Sequence, residues 1–428
     1  MGRTDETRWR YNARRLISAR TRLLIMVLCC TGVAARTCQV TDYGAACDGQ
    51  TDDTLAVQRA LDACANYNGV VELPMHRTCL SFPLDFHNGT QLHVPLGATL
   101  KAYPSVVRWP NATRFNFVEL KRLKDVAVFG KGTIDGSGEV WYTVPLAVLS
   151  GERPRLFHME HIRNVSFHGI TLRHTAGGTL GFNSPCADIV VDGITIDNPS
   201  FGNTDGIDIA CNGALVQNSR VVNGDDSICM KSGAKNVLVR NCSVANGKPW
   251  PGAVKPGLAG GLVLGTSDDD SMQNITYRNC TVDGALAGVR VKFRPTQHGY
   301  VRGIVFEDII INYPVAYAVD VIMTSNHIGD GDRVGSVNMT GLVLRNISGS
   351  LGFVPPSVCG AGKTCPRAVG RFNCGSGFAC TGLVLEHVHV SGFNATPEYP
   401  VPCTWNNASG SGKDILPVGC TPPPPLAQ

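Results

Sequence analysis

The chain has 428 residues, of which 43% are hydrophobic and only 17% charged, with 48 glycines. That balance suits a globular protein of many short strands and turns and disfavours one built on long surface helices. The formal charge of +4 does not argue for a polyanion partner, because seven arginines against Asp5 and Glu6 fall in the first 35 residues and leave the rest near neutral. No nucleic-acid partner is expected.

Residues 1–35 read as a secretory signal peptide. An arginine-rich lead is followed by an apolar run from Leu23 to Ala35 that ends in TGVAA, so cleavage is expected after Ala35. That run is too short to cross a bilayer, which takes roughly 20 apolar residues. No other stretch is long enough. The mature protein is therefore expected to be secreted, extracellular or held in a cell wall, with no membrane attachment. Residues 36–415 read as one domain, and 416–428 as a proline-rich, disordered tail.

The 17 cysteines support secretion; Cys29 and Cys30 leave with the signal. Cys359/Cys365, Cys374/Cys380 and Cys403/Cys420 look like short disulfide loops. Cys211, Cys229, Cys242 and Cys280 lie in strand-like segments, where a free thiol packs as a small apolar group. The absence of a CxxC pair speaks against a metal cluster, and no cofactor is expected. Asn-x-Ser/Thr sequons, among them Asn88, Asn111, Asn164 and Asn394, fit a secreted surface.

One helix stands out, over 51–65. Thr51 can cap it, Asp52 and Asp53 suit its positive end, and Leu55, Ala60, Leu61 and Cys64 make an apolar face. From about residue 120 the chain repeats itself. IRNVSFHGITLRHT, CADIVVDGITIDNP, AKNVLVRNCSVANG and VRGIVFEDIIINYP are four of the copies. Each is two short alternating strands around a polar or glycine bend. Self-similarity at this period indicates a solenoid, and strands indicate a parallel β-helix. The helix would close its first coil against edge pairing. A propeller needs longer repeats, and a sandwich would not repeat its sequence.

The repeat places an unusual set of carboxylates. The apolar pairs Ile207/Ile209, Ile228/Met230, Leu262/Leu264 and Val289/Val291 align as inward positions on successive coils of one sheet. Asp205 precedes Ile207 by the same offset as Asp226 precedes Ile228, so their backbones should lie about 4.8 Å apart. Asp225 adds a third carboxylate. Such neighbours must separate in pKa, which suits one acid and one base of a glycoside hydrolysis. Turn chemistry and a calcium site remain alternatives at this point. Arg290 and Lys292 alternate with Val289 and Val291, so they face outward about 10 Å along the axis. Acids with cations beside them fit an acidic sugar polymer.

NTDGID (203–208), GDDSI (224–228) and RVK (290–292), in that order on β-helix coils, resemble glycoside hydrolase family 28, the polygalacturonases. TDYGAACDGQTDDTLAVQRALDAC (41–64) and LGATLKA (96–102) are similar to the family's early segments. The resemblance implies a right-handed parallel β-helix and a metal-independent, inverting hydrolase of α-1,4-linked galacturonic acid. It implies Asp225 as general acid, and Asp205 and Asp226 as activators of the attacking water. Arg290 and Lys292 would bind the galacturonate carboxylate, with Asn203, Tyr317 and Gly261 as further substrate contacts. The implied partner is pectin, taken by a monomer.

One departure concerns substrate. Members of the family that this chain resembles typically carry Gly-His-Gly ahead of a strand such as 262–264, and Gly260 stands here where the histidine would be. Rhamnogalacturonan hydrolases and some other members resemble the Gly-Gly form. His298 and His327 are the spatial substitutes considered. The segment 246–258 would overhang the groove, with Trp250 either stacking on a sugar or packing within the loop. TSDDD (266–270) reads as a solvated turn. The competing readings are a rhamnogalacturonan or exo-acting hydrolase, a pectin-binding β-helix without activity, and a β-helix lyase.

Overall fold

The computed structural model describes residues 36–424 except 66–68, 111–114, 145–152, 252–256, 266–269, 294–297, 324–335, 353–367, 375–379 and 397–399. Four expectations, the signal segment, Asn111, His327 and the Cys359/Cys365 pair, lie outside the described residues, as does most of 266–270.

Every strand pairing recorded is parallel, and each strand pairs with its equivalent one coil before and one coil after. The chain is therefore a parallel β-helix. Alternation explains why: at each coil the inward residues are apolar and stack into continuous columns. Leu180, Ile207, Ile228, Leu262, Val289 and Val319 form one such column, each in register with the next. All six are at most 2% exposed. The aligned pairs read from the sequence hold residue for residue. Aromatic stacking adds to the core, with the Tyr277 and Phe306 rings parallel at 4.6 Å.

Each coil must bend sharply, and the bends use residues that tolerate the left-handed backbone. Asn218, Asn241 and Asn279 all take φ between 51 and 54°. Their amides stack: Asn279 Nδ2 donates to Asn241 Oδ1 at 2.9 Å, Asn241 Nδ2 to Asn218 Oδ1 at 3.2 Å, and Asn218 Nδ2 to Asp192 Oδ1 at 2.8 Å.

The cap helix is shorter than expected. It spans Thr54–Cys64, because Asp48–Asp52 is a strand. Thr51 does not cap it. Asp53 stands at the N-cap position but turns its carboxylate away, accepting from the N–H groups of Ala46 and Leu80 at 2.7 and 3.3 Å. Leu55, assigned to the buried face, is 72% exposed, and Ala56 and Val57 take its place beside Ala60, Leu61 and Cys64. A disulfide from Cys64 to Cys38 ties the helix to the first strand.

Cys47–Cys79, Cys186–Cys211, Cys374–Cys380 and Cys403–Cys420 are also bonded. The expected short loops at 374/380 and 403/420 are present. Cys211 is a correction: it is not a free thiol but crosses to Cys186 one coil back. Cys229, Cys242 and Cys280 are buried free thiols. Five disulfides among the described residues indicate folding in an oxidising compartment. The last strand runs Ala408–Leu416, and within it the Gly410 N–H donates to the carbonyl of Pro423 at 2.9 Å, so the described part of the proline-rich segment, expected to be a disordered tail, packs on the coil. No helix among the described residues is long and apolar enough to cross a membrane.

Candidate active site

The site is built from two turns that enter neighbouring strands of one sheet. Asn203 takes φ 63°, so the first turn is tight. Thr204 Oγ1 donates to Phe201 O at 2.6 Å and accepts from Gly224 N–H at 3.1 Å. The buried Asn223 amide reaches the carbonyls of Thr204, Asp225 and Asp226 at 2.8–3.0 Å, and Ser227 Oγ donates to Asn223 Oδ1 at 2.8 Å. These bonds lock one turn onto the other. The Gly206 N–H donates to Asp226 O at 2.8 Å, which fixes Asp205 and Asp226 in the expected register.

Carboxylate oxygens of Asp205, Asp225 and Asp226 can all lie within 4.8 Å of one another. Their environments differ. Asp225 is half-buried and accepts from the N–H groups of Asn203 and Asp226, each at 2.9 Å. Burial and the Asp226 charge raise its pKa despite those bonds. Asp205 is raised well above the ordinary carboxylate value, first by burial and then by Asp208 and Asp225. Asp226 is 2% exposed. Burial works against its charge, but Lys292 and Lys231 prevail and hold its pKa at about 2. Lys292 Nζ lies 2.9 and 2.8 Å from its two oxygens, and Lys231 Nζ 3.7 Å away. The cluster therefore contains one carboxylate whose pKa is lowered and two whose pKa values are raised. That is the division an acid–base pair requires. The trio has the donor set for a cation as well, but two ammonium groups already supply positive charge beside it.

Arg290 and Lys292 face outward two coils on, as expected. Lys292 bonds Asp226. Arg290 Nε stands 3.5 Å from Asp320 Oδ2, and Arg371 holds the same carboxylate at 2.7 and 3.0 Å. The Arg371 guanidinium lies over the Tyr317 ring at 4.5 Å, so Tyr317 is joined to this end of the site. Gly261 adopts φ +79°, and a Cβ there would strike Ala287 O. Gly260 lies against Asp226: a Cβ at 260 would collide with Asp226 Oδ1. A side chain at that position would require the Asp226 carboxylate to shift.

His298 is exposed at the start of a strand. Trp250 sits edge-on to Tyr142 at 5.2 Å, and Tyr142 stacks on Phe201 at 4.5 Å, which is loop packing. Sequence reading passed over Lys231, Asn223, Asp320, Arg371 and Arg155. Lys231 had a usable signal. It follows Met230 as Lys292 follows Val291, and its N–H donates to Ile209 O in the ladder at 2.8 Å.

Comparison with known proteins agrees with this arrangement. The family model described as glycosyl hydrolases family 28 matches residues 90–404. A polygalacturonase of Chamaecyparis obtusa is 23% identical over 390 residues, covering 88% of this chain and 71% of that protein. An exopolygalacturonase of Cochliobolus carbonum is 26% identical, covering 91% and 87%. The crystal structure of a hyperthermoactive exopolygalacturonase from Thermotoga maritima superposes with a TM-score of 0.72 at 19% identity, covering 90% of this chain and 92% of that one. The fold is the right-handed parallel β-helix. With the family model spanning most of the chain, this protein belongs to glycosyl hydrolases family 28 and is a glycoside hydrolase.

Proposed function

We propose that this enzyme is secreted and hydrolyses α-1,4-linked galacturonic acid in pectin as a monomer without a metal. The observation that carries the reading is the trio Asp205, Asp225 and Asp226 with opposed pKa shifts beside Lys292 and Arg290. The polygalacturonases and exopolygalacturonases among its relatives support the polymer. Five disulfides support an extracellular setting.

In this reading Asp225 donates its proton to the leaving oxygen. Asp226, ionised, draws a proton from the attacking water, and Asp205 holds that water from the adjacent coil. Arg290 and Lys292 take the sugar carboxylate, with Asn203, Tyr317 and the backbone at Gly261 bordering the ring. Product analysis on polygalacturonate and rhamnogalacturonan side by side tests this. New reducing ends without an unsaturated, ultraviolet-absorbing product identify a hydrolase and its backbone. An unsaturated end would make it a lyase, and folded protein silent on both polymers would favour binding without catalysis.

A second reading concerns stereochemistry. Inverting pairs usually stand about 6.5–9.5 Å apart and retaining pairs about 5–5.5 Å. One oxygen from each carboxylate lies within 4.8 Å of the others, so the alternative to weigh against inversion is retention with Asp226 as nucleophile. Family resemblance favours inversion. Proton NMR of the first-formed anomer decides between them.

A further inference from the structure

Arg153 is a buried cation whose partners are not carboxylates. It is 8% exposed. Its Nε donates to Ala176 O at 2.7 Å, and its Nη2 donates to Gly202 O. The guanidinium lies 4.6 Å from the centre of the Phe201 ring, and the same ring stacks on Tyr142 at 4.5 Å. Among the described residues, Arg153 thus meets two carbonyls and an aromatic ring. Burying a cation without a counter-charge is costly. The place of the second carbonyl shows what that cost maintains.

Gly202 O and the Asn203 N–H belong to one planar peptide group. That N–H donates to Asp225 Oδ2 at 2.9 Å. A chain of bonds therefore runs from the Arg153 guanidinium, through a single peptide, to the carboxylate read above as the general acid. A cation on a carbonyl oxygen draws electrons across the amide and makes its N–H a stronger donor. Bonds in such a chain strengthen one another where the dielectric is low. The charges around the acid are few. Burial and Asp226 raise the Asp225 pKa, while the Asn203 N–H, Lys292 and the Asp226 N–H oppose them. Asp205 lies on the adjacent coil and feels Asp208, which Arg155 Nη1 and Lys231 Nζ hold at 3.2 and 3.4 Å. Arg153 itself faces Tyr142.

We propose that Arg153 is a positioning residue for the general acid: bonded to Gly202 O, it orients and polarises the Gly202–Asn203 peptide so that the Asn203 N–H holds the Asp225 carboxylate. Loss of that hold leaves Asp225 protonated to higher pH. Arg153 therefore sets where activity ends on the alkaline side, without touching substrate. This rests on the reading of Asp225 as the acid of a glycoside hydrolysis.

The test is the pH dependence of kcat/KM for the full protein and for Arg153→Met, Arg153→Gln, Arg153→Lys and Trp250→Leu, on polygalacturonate and on rhamnogalacturonan. A general acid works only while protonated, so its ionisation sets the basic limb of the profile. In Arg153→Met that limb should move upward by on the order of half a pH unit, since one charged hydrogen bond loses part of its strength. Arg153→Gln, which keeps a neutral donor, should move it less, and Arg153→Lys, which keeps the charge, least. KM should stay within about twofold, because Arg153 is buried and bonds only to backbone. Trp250→Leu loosens the neighbouring packing through Tyr142 and should lower the melting temperature with the limb in place. Should Arg153→Met fail to fold, Arg153→Gln carries the test. An unmoved limb in the folded, active variant would overturn the proposal. So would an equal shift in Trp250→Leu, which would make the effect one of packing. Wild-type protein that turns over neither polymer would overturn the hydrolase reading, and the role of Arg153 with it.

Discussion

Two polar stacks run along this β-helix, and they are opposites. At the bend through Asn218, Asn241 and Asn279, each amide donates to the one a coil away. Every group has both a donor and an acceptor, so stacking satisfies it. At the mouth of the strands, Asp205 and Asp226 stack at the same coil spacing, but carboxylates have only acceptors. Stacking drives them apart electrically, and Lys292 and Lys231 must hold one of them ionised. One geometry thus serves stability at one corner and chemistry at another. The difference lies in whether the repeated side chain can bond to its own copy.

The largest effect expected is at the carboxylates. Asp225→Asn keeps the shape of the side chain and one of its two acceptor oxygens but removes the acidic proton, and should lower kcat by about 10²–10⁴-fold with the circular dichroism spectrum unchanged. Next is Lys292→Met. Loss of its ammonium raises the Asp226 pKa, so the ionised form appears only at higher pH. The acid limb of the kcat/KM profile should move upward; a limb that stays in place would show that Lys292 serves substrate alone.

Asp205→Asn separates function from stability. Folding raises the Asp205 pKa above its unfolded value of about 3.9. Such a group adds stability below that value and loses it as pH rises through the folded pKa. Asp205 therefore burdens the fold at neutral pH. The variant should be inactive yet melt higher than wild type at pH 7, with little difference at pH 3. Asp226 has the opposite sign: its contribution is present above the unfolded value and is lost as pH falls toward about 2. The smallest effect belongs to the amide stack. Asn241→Gly keeps the left-handed bend and removes one amide, so it should cost about 1 kcal/mol in urea unfolding and leave kcat unchanged.

Much of this was legible because a solenoid converts sequence offset into position. The inward columns and the alignment of Asp205 with Asp226 followed from apolar pairs alone. The same rule applied one residue further would have found Lys231, and applied to YAVDVIM would have found Asp320. Arg155 was out of reach for a different reason: it lies in a loop before Phe157, where no repeat fixes the path. Cys211 was misjudged because its partner Cys186 is a whole coil away, and chain proximity is a poor guide when each coil returns to the same corner. The Thr51 cap failed because Asp48–Asp52 runs as a strand and the helix begins only at Thr54; Asp53, at the cap position, is drawn instead into bonds to the N–H groups of Ala46, Cys47 and Leu80, which tertiary folding brings together.

The most direct measurement is release of reducing ends from polygalacturonate by the wild-type protein and by Asp225→Asn, each with and without a calcium chelator. The account predicts release by wild type that the chelator does not change, and almost none from the variant. Near-normal release by Asp225→Asn, or loss of wild-type release on chelation, would contradict it.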